Sequence, residues 1–373
     1  GNPVCGQGFS LEAIVRMPRD KVNQMPAVRE MKSLCILRLS ALGDATHVVP
    51  VIRALQEHSP ETKITWIIGK LEHKLLGALE GVEFIVFDKR GGLPAVGELR
   101  KALRDRRFDG LFHMQVAARA NFLSKLIRAP LRLGWDKARS RDMHYHFTRQ
   151  KVAAVPFQHQ VQAFLEFPRA IGIEVETPQW DLPIAPEAHE WVAGQIPDEA
   201  PVLMISPCSS HERRNWRNEY YARVADHAAS EMGMQVVLVG GPGELETRAG
   251  AEIESSMKTA CINLIGKDTL EQSKALLDRA DLVISPDSGP AHIASALGTP
   301  VIGLYAATWS KRSGPYNSLY LCVDRFKAAA RQFRKCEAEE LRWGSRIEEP
   351  GVMDLIQPED VIRQMHTWEG LQA

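Results

Sequence analysis

The chain has 373 residues, of which 45% are hydrophobic and 25% charged, and 46 basic residues balance 46 acidic ones. This composition is that of an ordinary globular chain long enough for two domains. No apolar run reaches the roughly 18 residues that a membrane span requires, and residues 1–30 lack the apolar core of a secretory signal, so we expect a cytoplasmic protein. The six cysteines have no zinc or disulfide spacing and are expected to be reduced.

The neutral total conceals opposite charges in the two halves of the chain. Residues 31–178 carry 23 basic and 15 acidic side chains, whereas residues 179–373 carry 19 and 28. Most of the basic excess lies in residues 99–151, with 14 basic side chains against 4 acidic ones. Such a run is either a solvated face or an anion-binding surface, and charge alone leaves both interpretations open. We expect the two halves to meet different partners.

Short apolar runs alternate with helix-patterned segments along the chain, which is typical of α/β folds with parallel sheets. The predicted strands of the first half are Leu34–Leu39, Ile64–Ile68, Glu83–Phe87 and Gly110–Met114, with helices near 46–57, 71–79, 94–106 and 119–128. The predicted strands of the second half are Val202–Ser206, Gln235–Val239, Leu282–Ser285 and Val301–Tyr305, with helices near 219–231, 244–257, 269–279 and 289–297. Residues 176–186, with three prolines, predict an extended linker between two Rossmann-like domains. Residues 1–30 show no clear periodicity and are given no function.

The first loop of interest follows the first predicted strand, because ligands of open α/β sheets bind beyond the carboxyl ends of strands. It reads RLSALGDATH from Arg38 to His47. Gly43 permits a sharp backbone turn, and Asp44 opens the following helix. Asp44 is either a helix N-cap, a common role for aspartate, or a functional carboxylate that faces the interdomain cleft.

Two loops of the second half carry further candidates. In PCSSHERRNW, Arg213 and Arg214 suit a diphosphate because guanidinium forks bind phosphate oxygens; the alternative is surface arginines paired with nearby glutamates. In VGGPGELE, glycines precede Glu244 and Glu246, whose carboxylates can accept hydrogen bonds from ribose hydroxyls. The glycines lack the full GxGxxG spacing, so they are weak support for a dinucleotide site.

The stretch from Asp281 to Ala307, DLVISPDSGPAHIASALGTPVIGLYAA, is the most informative in the chain. A helix that begins near Ser288 or Gly289 points unpaired N–H groups and its positive dipole end into the crevice, which favours a phosphate. His292 follows one helical turn later, on the face that can meet phosphates; the alternative is a histidine hydrogen-bonded inside the domain.

Three segments in combination resemble glycosyltransferase family nine, the ADP-heptose:lipopolysaccharide heptosyltransferases. They are ILRLSALGDATHVVPVIRAL, ERRNW and IGKDTLEQSKALLDRADLVISPDSGPAHIASALGTPVIGLY, and the resemblance covers roughly Met31 to Met365. It implies an α/β GT-B fold, with two Rossmann-like domains whose parallel sheets face a cleft. The expected parts are an N-terminal extension of unknown role (1–30), an acceptor-binding domain (31–178), a nucleotide-sugar-binding domain (179–345) and a helical segment that crosses back to the N-terminal domain (346–373).

The resemblance also implies roles for particular residues in an inverting transfer of heptose from ADP-heptose to the lipopolysaccharide inner core. Asp44 matches the family's catalytic aspartate, the general base on the acceptor hydroxyl. Arg214 stands where the family has a phosphate-binding lysine in a KxW motif, with Arg213 beside it, so this chain departs from the usual pattern. The residues that match the family's nucleotide-binding DSGxxH segment are Asp287, Ser288, Gly289 and His292. Glu244 or Glu246 would hold the ribose, and the sequence does not choose between them.

No metal or other cofactor is expected, because the chain has no Asp-x-Asp motif and the ADP-sugar is a substrate. The family's acceptor is an acidic glycolipid, so the basic segment gains a second meaning. Its candidate acceptor-binding residues are Arg119, Lys125, Arg128, Arg132, Lys137, Arg139 and Arg141. The same charges would draw the protein to the cytoplasmic face of the inner membrane, and no nucleic-acid partner is expected.

Two other functions stay open at this point. One is a GT-B-like nucleotide-sugar epimerase or hydrolase, since a fold alone does not define a reaction. The other is a non-catalytic homologue that only binds a nucleotide. The setting of Asp44, the arginine pair and the basic first half favour a transferase over both.

Overall fold

Two six-stranded parallel sheets, one from each half of the chain, form the computed structural model, which describes residues 31–197 and 200–372. The predicted extension, residues 1–30, lies outside the described residues. The first sheet contains β1 (Ser33–Leu37), β2 (Lys63–Gly69), β3 (Val82–Phe87), β4 (Gly110–His113), β5 (Leu131–Gly134) and β6 (Gln150–Lys151), in the order β3-β2-β1-β4-β5-β6. The second contains β7 (Val202–Ile205), β8 (Gln235–Leu238), β9 (Ile262–Asn263), β10 (Leu282–Pro286), β11 (Val301–Tyr305) and β12 (Val323–Asp324), in the order β12-β11-β10-β7-β8-β9.

Helices cover the sheets and follow most strands. In chain order they are α1 (Leu42–Thr46), α2 (Val49–His58), α3 (Lys70–Leu76), α4 (Gly92–Leu103), α5 (Ala118–Ser124), α6 (His144–Phe147), α7 (Gln160–Ala170), α8 (Pro186–Gln195), α9 (Asn218–Glu231), α10 (Glu244–Ser256), α11 (Leu270–Arg279), α12 (Gly289–Leu297), α13 (Ser310–Ser313), α14 (Phe326–Ala329) and α15 (Pro358–Gln372). Within the described ranges no helix is long and apolar enough to cross a membrane.

The strand order places the ligand-binding edge of each sheet. In the first sheet the order reverses between β1 and β4, and in the second between β7 and β10. Crevices open at such reversals, beyond the carboxyl ends of the strands. The loops after β1, β7 and β10, which carry Asp44, Arg214 and Asp287, therefore lie at these two positions.

All eight predicted strands are present, with ends shifted by at most two residues. Seven of them are largely apolar runs that are buried on both faces, whereas β3 lies at the edge of its sheet and only its Phe87 is buried. The helices expected in the two series are also present. The prediction did not include β5, β6, β9 and β12, which have two to four residues each, nor α7 and α8.

The linker and the final helix both pack against particular partners. Residues 176–185 form neither strand nor helix, as predicted, and buried Trp180 donates from Nε1 to the carbonyl oxygen of Thr46 at 3.1 Å. The final helix α15 was expected to cross back to the first half. It packs instead on α9, β11 and β12, because Val361 and Met365 are fully buried in the core of the second half.

The two halves touch along α1 and α12. A continuous apolar cluster includes Val48 from the first half and Ala291 and Ile293 from the second. Beside it, the Lys274 ammonium of α11 donates to the carbonyl oxygens of Leu75 (3.2 Å) and Pro183 (2.5 Å). The ligand-binding edges of the two sheets are thereby held together, with a cleft between them.

Candidate active site

Asp44 lies in the loop and helix that follow β1. It is the third residue of α1, whose N-cap is Ala41 with no side-chain capping bond, so the interpretation of Asp44 as an N-cap is wrong. Its carboxylate accepts a hydrogen bond from Gln160 Nε2 at 2.6 Å and pairs with the Arg38 guanidinium. The Asp44 side chain is 29% exposed, towards the cleft. A fixed, solvent-accessible carboxylate of this kind can act on a bound hydroxyl group.

Arg38 holds that carboxylate in place. Its Nη1 donates to the carbonyl oxygen of Met114 at 2.7 Å, and its guanidinium lies 5.2 Å above the centre of the Phe164 ring. Burial lowers the pKa of Arg38, and the charge of Asp44 opposes that effect. Because the guanidinium bridges two strand ends, it fixes the position of Asp44 relative to the sheet.

The turn between β10 and α12 carries the second carboxylate. Asp287 accepts a hydrogen bond from Ser313 Oγ at 3.1 Å, and its Oδ1 lies 3.4 Å from His292 Nε2. Burial by itself would raise the pKa of Asp287, but hydrogen bonds from His292, Thr308 and Ser313 prevail and lower it. Ser288 is the N-cap residue, although its hydroxyl pairs with Ser285 Oγ at 2.7 Å and caps no backbone N–H group.

The N-terminus of α12 faces the first half of the protein at very short range. A Cβ atom on Gly43 would lie 2.6 Å from His292 Cδ2 and 3.5 Å from the Cα of Gly289. The His292 ring packs edge-on against His47 at 5.0 Å, and its Nδ1 has no hydrogen-bond partner among the described residues. Burial lowers the pKa of His47 well below its usual value, with the charge of His292 adding to the effect. His292 is therefore held inside the protein by Asp287 and His47, and its contact with a phosphate stays a prediction.

The predicted arginine pair is divided. Arg213 is exposed, whereas Arg214 is buried, donates from Nη2 to Ser210 Oγ at 2.8 Å and has its Nε 3.4 Å from Glu348. Burial lowers the pKa of Arg214, with Arg346 adding to the effect and Asp287 opposing it. The buried guanidinium of Arg214 therefore interacts electrostatically with Asp287 of the α12 turn.

The glycine-rich loop before α10 distinguishes the two candidate ribose ligands. Glu244 is exposed, while Glu246 is partly buried and folds back over the loop. A Cβ atom on Gly243 would lie 2.4 Å from Glu246 Oε2. The Glu246 carboxylate therefore lies over the glycine-rich loop that follows β8, and the contact of either glutamate with a ribose stays a prediction.

A cleft of about 1040 Å³ opens above Asp44 between the two halves. Two acidic residues, Asp44 and Asp136, line it together with seven basic ones: Arg38, Lys137, Arg139, Arg141, Arg312, Arg342 and Arg346. A smaller cavity beside Asp287 shares Arg312, Arg342 and Arg346 with this cleft. The cleft is therefore strongly cationic, and its charge suits anionic ligands.

Of the seven predicted acceptor-binding residues, three line the cleft (Lys137, Arg139 and Arg141), whereas the other four are not among the described residues that line it (Arg119, Lys125, Arg128 and Arg132). Arg139 and Arg141 line it, and Arg139 pairs with Asp136 beneath the Trp135 ring. Arg119 donates to the carbonyl oxygen of Lys89, and the Lys125 ammonium lies over the rings of Phe122 and Phe147. Neither Arg119 nor Lys125 is among the described residues that line the cleft, because α5 turns them to another face.

Three of the cleft's cations are not among the residues predicted from the sequence. Arg312 belongs to α13, and Arg342 and Arg346 lie in an irregular segment near the end of the second half. Their segments, KRSG and LRWGSR, contain basic residues near glycine, but no periodicity that ties them to a strand end. Only the folded chain shows that they face Asp44.

Two parallel sheets that face a shared cleft define the GT-B class of fold. Residues 96–342 match the model of glycosyltransferase family 9 (heptosyltransferase). The chain is 38% identical over 342 residues to the lipopolysaccharide core heptosyltransferase OpsX of Haemophilus influenzae, covering 91% of this chain and 98% of that protein. The chain belongs to glycosyltransferase family 9 and is a transferase, so the resemblance drawn from the three segments is confirmed.

Solved structures agree on the fold. The glycosyltransferase family 9 protein of Veillonella parvula superposes with a TM-score of 0.74 at 22% identity, covering 92% of this chain and 98% of that one. The ADP-heptose lipopolysaccharide heptosyltransferase II of Escherichia coli has a TM-score of 0.69 at 21% identity, covering 91% and 100%. The predicted GT-B fold is confirmed.

Proposed function

We propose that this protein transfers heptose from ADP-heptose to the inner core of lipopolysaccharide. Membership of the heptosyltransferase family and the name of the Haemophilus influenzae relative support this proposal. The observation that carries it is the position of Asp44, a partly exposed carboxylate in a cationic cleft next to the N-terminus of α12. Asp44 would then be the base, the N-terminus of α12 would bind the leaving group, and the basic walls of the cleft would bind the anionic substrates.

The reaction we propose is a single inverting displacement. The acceptor hydroxyl donates a hydrogen bond to Asp44, whose oxygens retain lone pairs beyond those used by Gln160 and Arg38. The acceptor oxygen bonds to the anomeric carbon while the bond from that carbon to the diphosphate breaks on the opposite face. The proton of the acceptor hydroxyl passes to Asp44. One displacement needs one base and no covalent intermediate.

We propose that no divalent cation takes part in this transfer. The negative charge of the departing ADP would be met by Arg214, the N-terminus of α12 and the arginines of the cleft. Transfer should then proceed in EDTA at the rate seen without it. Activity that EDTA abolishes and magnesium restores would contradict this part of the proposal.

We propose that the glycolipid's carboxylates and phosphates meet the first-half wall of the cleft, at Arg139 and Arg141. Asp136 and the carbonyl oxygen of Ala153 fix the Arg139 side chain, whereas Arg141 is exposed. Charge reversal at both arginines should raise the KM for the glycolipid and leave ADP affinity unchanged. Unaltered glycolipid transfer by the double variant would count against this assignment.

A neighbouring surface supports contact with an anionic membrane. The exposed fractions of Phe122, Met143 and Tyr145 are 56%, 62% and 44%. The Lys125 ammonium lies 5.7 Å from the centre of the Phe122 ring, and Arg141 enters the cleft two residues before Met143. Aromatic and basic side chains together suit a membrane interface, so the cleft would open beside the bilayer that anchors the glycolipid.

Vesicle flotation tests this surface. The wild type should bind vesicles that contain phosphatidylglycerol and not vesicles of phosphatidylcholine alone. A triple variant, with serine at positions 122, 143 and 145, should lose that binding while it keeps transfer to a water-soluble acceptor fragment. Equal flotation of both proteins would exclude this surface.

The experiment that tests the proposed function measures transfer from ADP-heptose to a heptose-free lipopolysaccharide core, in EDTA. Asp44→Asn should lower kcat by about 100- to 10,000-fold, the usual contribution of a general base, and should still bind ADP. Asp105→Asn, at an exposed carboxylate paired with Arg104, is the control and should keep full activity. Undiminished transfer by Asp44→Asn would refute the base assignment.

The same assay separates the two other functions. Consumption of ADP-heptose at an undiminished rate without acceptor would indicate a hydrolase or an epimerase. ADP binding without turnover of any kind would indicate a nucleotide-binding protein. Inversion at the anomeric carbon is read from the product by NMR coupling constants, and retention would refute the single displacement.

A further inference from the structure

Arg312 lies where the two cavities join. It belongs to α13, directly after β11, and it lines both the main cleft and the small cavity beside Asp287. Its side chain is partly buried. Among residues 31–197 and 200–372 its guanidinium has no hydrogen-bond or ion-pair partner, although an arginine carries five N–H donors.

Arg312 shares a cavity with each of the two key carboxylates, the main cleft with Asp44 and the small cavity with Asp287. Burial lowers the pKa of Arg312, the charges of Asp44 and Asp287 both oppose that effect, and Arg346 and Arg141 add to it. Arginine keeps its charge under such conditions. A cation whose guanidinium bonds to no described residue thus lies where the cavity of the proposed base meets that of the nucleotide-binding turn.

The backbone holds this guanidinium in position. Gly344 has a φ of +85°, and a Cβ atom at that residue would lie 3.0 Å from Arg312 Nε and 3.2 Å from its Cζ. The chain at Gly344 therefore packs closely against the guanidinium group, which limits the rotamers that Arg312 can adopt. Packing without hydrogen bonding leaves the donors preorganised for a ligand.

The other buried or partly buried arginines of the site already have protein partners, although the Nε atoms of Arg38 and Arg214 have no hydrogen-bond partner among the described residues. Arg38 is paired with Asp44, Arg139 with Asp136, and Arg214 bonds to Ser210 beside Glu348. Arg342 and Arg346 line the same junction but are exposed, where water competes for their donors. Arg312 combines partial burial with a guanidinium that bonds to no described residue, and this combination suits an anion site.

We propose that Arg312 binds the diphosphate of the nucleotide sugar and stabilises the charge that develops on it as the sugar leaves. In that step the bond between the anomeric carbon and the phosphate oxygen breaks, and its electron pair stays on the diphosphate. The acceptor oxygen bonds to the anomeric carbon and its proton passes to Asp44. Arg312 exchanges no proton; its N–H groups bond to phosphate oxygens throughout. The stabilisation of the departing diphosphate rests on the proposed function, whereas the binding of a diphosphate by Arg312 does not.

Isothermal titration with ADP and with AMP tests the ligand. Because ADP has the second phosphate and AMP lacks it, Arg312→Gln should weaken ADP binding by about 10- to 100-fold and AMP binding far less. Arg312→Lys should recover part of the loss, since it keeps the charge but not the bidentate fork. Lys311→Gln removes an exposed neighbouring cation and should bind ADP as the wild type does.

Two further readings complete the test. AMP binding and an unchanged Tm show that a variant is folded, and at saturating donor kcat should also fall in Arg312→Gln. The proposal would be overturned if folded Arg312→Gln kept the wild-type preference for ADP over AMP. It would also be overturned if the only change in this variant were a higher KM for the acceptor. If the wild type transfers no heptose but Arg312→Gln still loses its preference for ADP, the proposed function fails while the diphosphate site stands.

Discussion

Gly43→Ala is the substitution that most directly probes how the two halves cooperate. The new methyl group would lie 2.6 Å from His292 Cδ2, whereas ordinary carbon contacts are about 3.5 Å or longer. His292 cannot move aside easily, because its Nε2 lies near Asp287 and its ring packs on His47. The clash must therefore be relieved by about 1 Å of separation between α1 and α12.

A separation of this size should act on catalysis more than on stability. Asp44 is adjacent to Gly43, so the base moves away from the nucleotide-binding turn together with α1. A misplacement of about 1 Å can cost about 100-fold in rate. We expect kcat to fall by about that factor. The free energy of unfolding should fall by no more than about 3 kcal/mol, because opening of the cleft relieves the overpacking.

The assay compares kcat for heptose transfer, ADP affinity and urea unfolding in Gly43→Ala and in Gly97→Ala. Gly97 lies inside α4, and a Cβ atom there would meet nothing within 4 Å. The control should keep full activity and gain about 0.5 to 1 kcal/mol, since alanine favours a helix over glycine. Wild-type turnover by Gly43→Ala would refute the reasoning, because it would mean that the working enzyme does not bring these helices together.

Three further outcomes are expected. Thr269→Ala removes the capping box of α11 and should lower the urea unfolding free energy by about 1 kcal/mol, with Thr269→Ser as the neutral control. Burial lowers the pKa of His159 to about 4, so the unfolded chain binds a proton below pH 6.5 that the folded protein does not, and stability falls as the pH drops from 6.5 towards 4. His159→Asn should reduce the loss of stability between pH 7 and pH 5 by about 2 kcal/mol, measured by urea unfolding at both values. Glu246→Gln should weaken ADP binding more than Glu244→Gln in calorimetry, because only Glu246 covers the glycine-rich loop.

Periodicity predicted the central strands because each is a continuous apolar run, but it could not reveal elements without such a run. The strand Gln150–Lys151 has two polar residues and exists only because β5 pairs with it. Helix α7 carries Pro168, which argues against a helix on sequence grounds, and tertiary packing of Phe164 and Phe167 overrides that preference. Helix α8 begins at Pro186, an N-terminal signal that the prediction assigned to the linker.

The candidate site was only partly accessible from sequence for a related reason. The turn from Asp287 to His292 and the loop of Asp44 are local motifs. Their candidate functional residues could therefore be predicted from neighbouring residues in the sequence. A sum of charges over residues 99–151 does not distinguish side chains on different faces of the fold. It therefore included Arg119 and Lys125, which do not line the cleft. Conversely, the second half is acidic overall, yet it contributes Arg312 to the cleft.

The distribution of charge in the cleft follows from the two substrates proposed for it. An ADP-sugar and an acidic glycolipid would both lie close to Asp44, and each pair of like charges 4 Å apart costs about 4 kcal/mol near a protein surface. Seven basic residues against two acidic ones offset that repulsion, and they come from both halves of the chain. Because four of these basic residues belong to the first half and three to the second, we expect the anionic substrates themselves to favour the closed arrangement in which α1 meets α12. Closing of the cleft would then also bring Asp44 next to the nucleotide-binding turn of α12. For this reason a single methyl group on Gly43, which holds the two helices apart, should lower kcat.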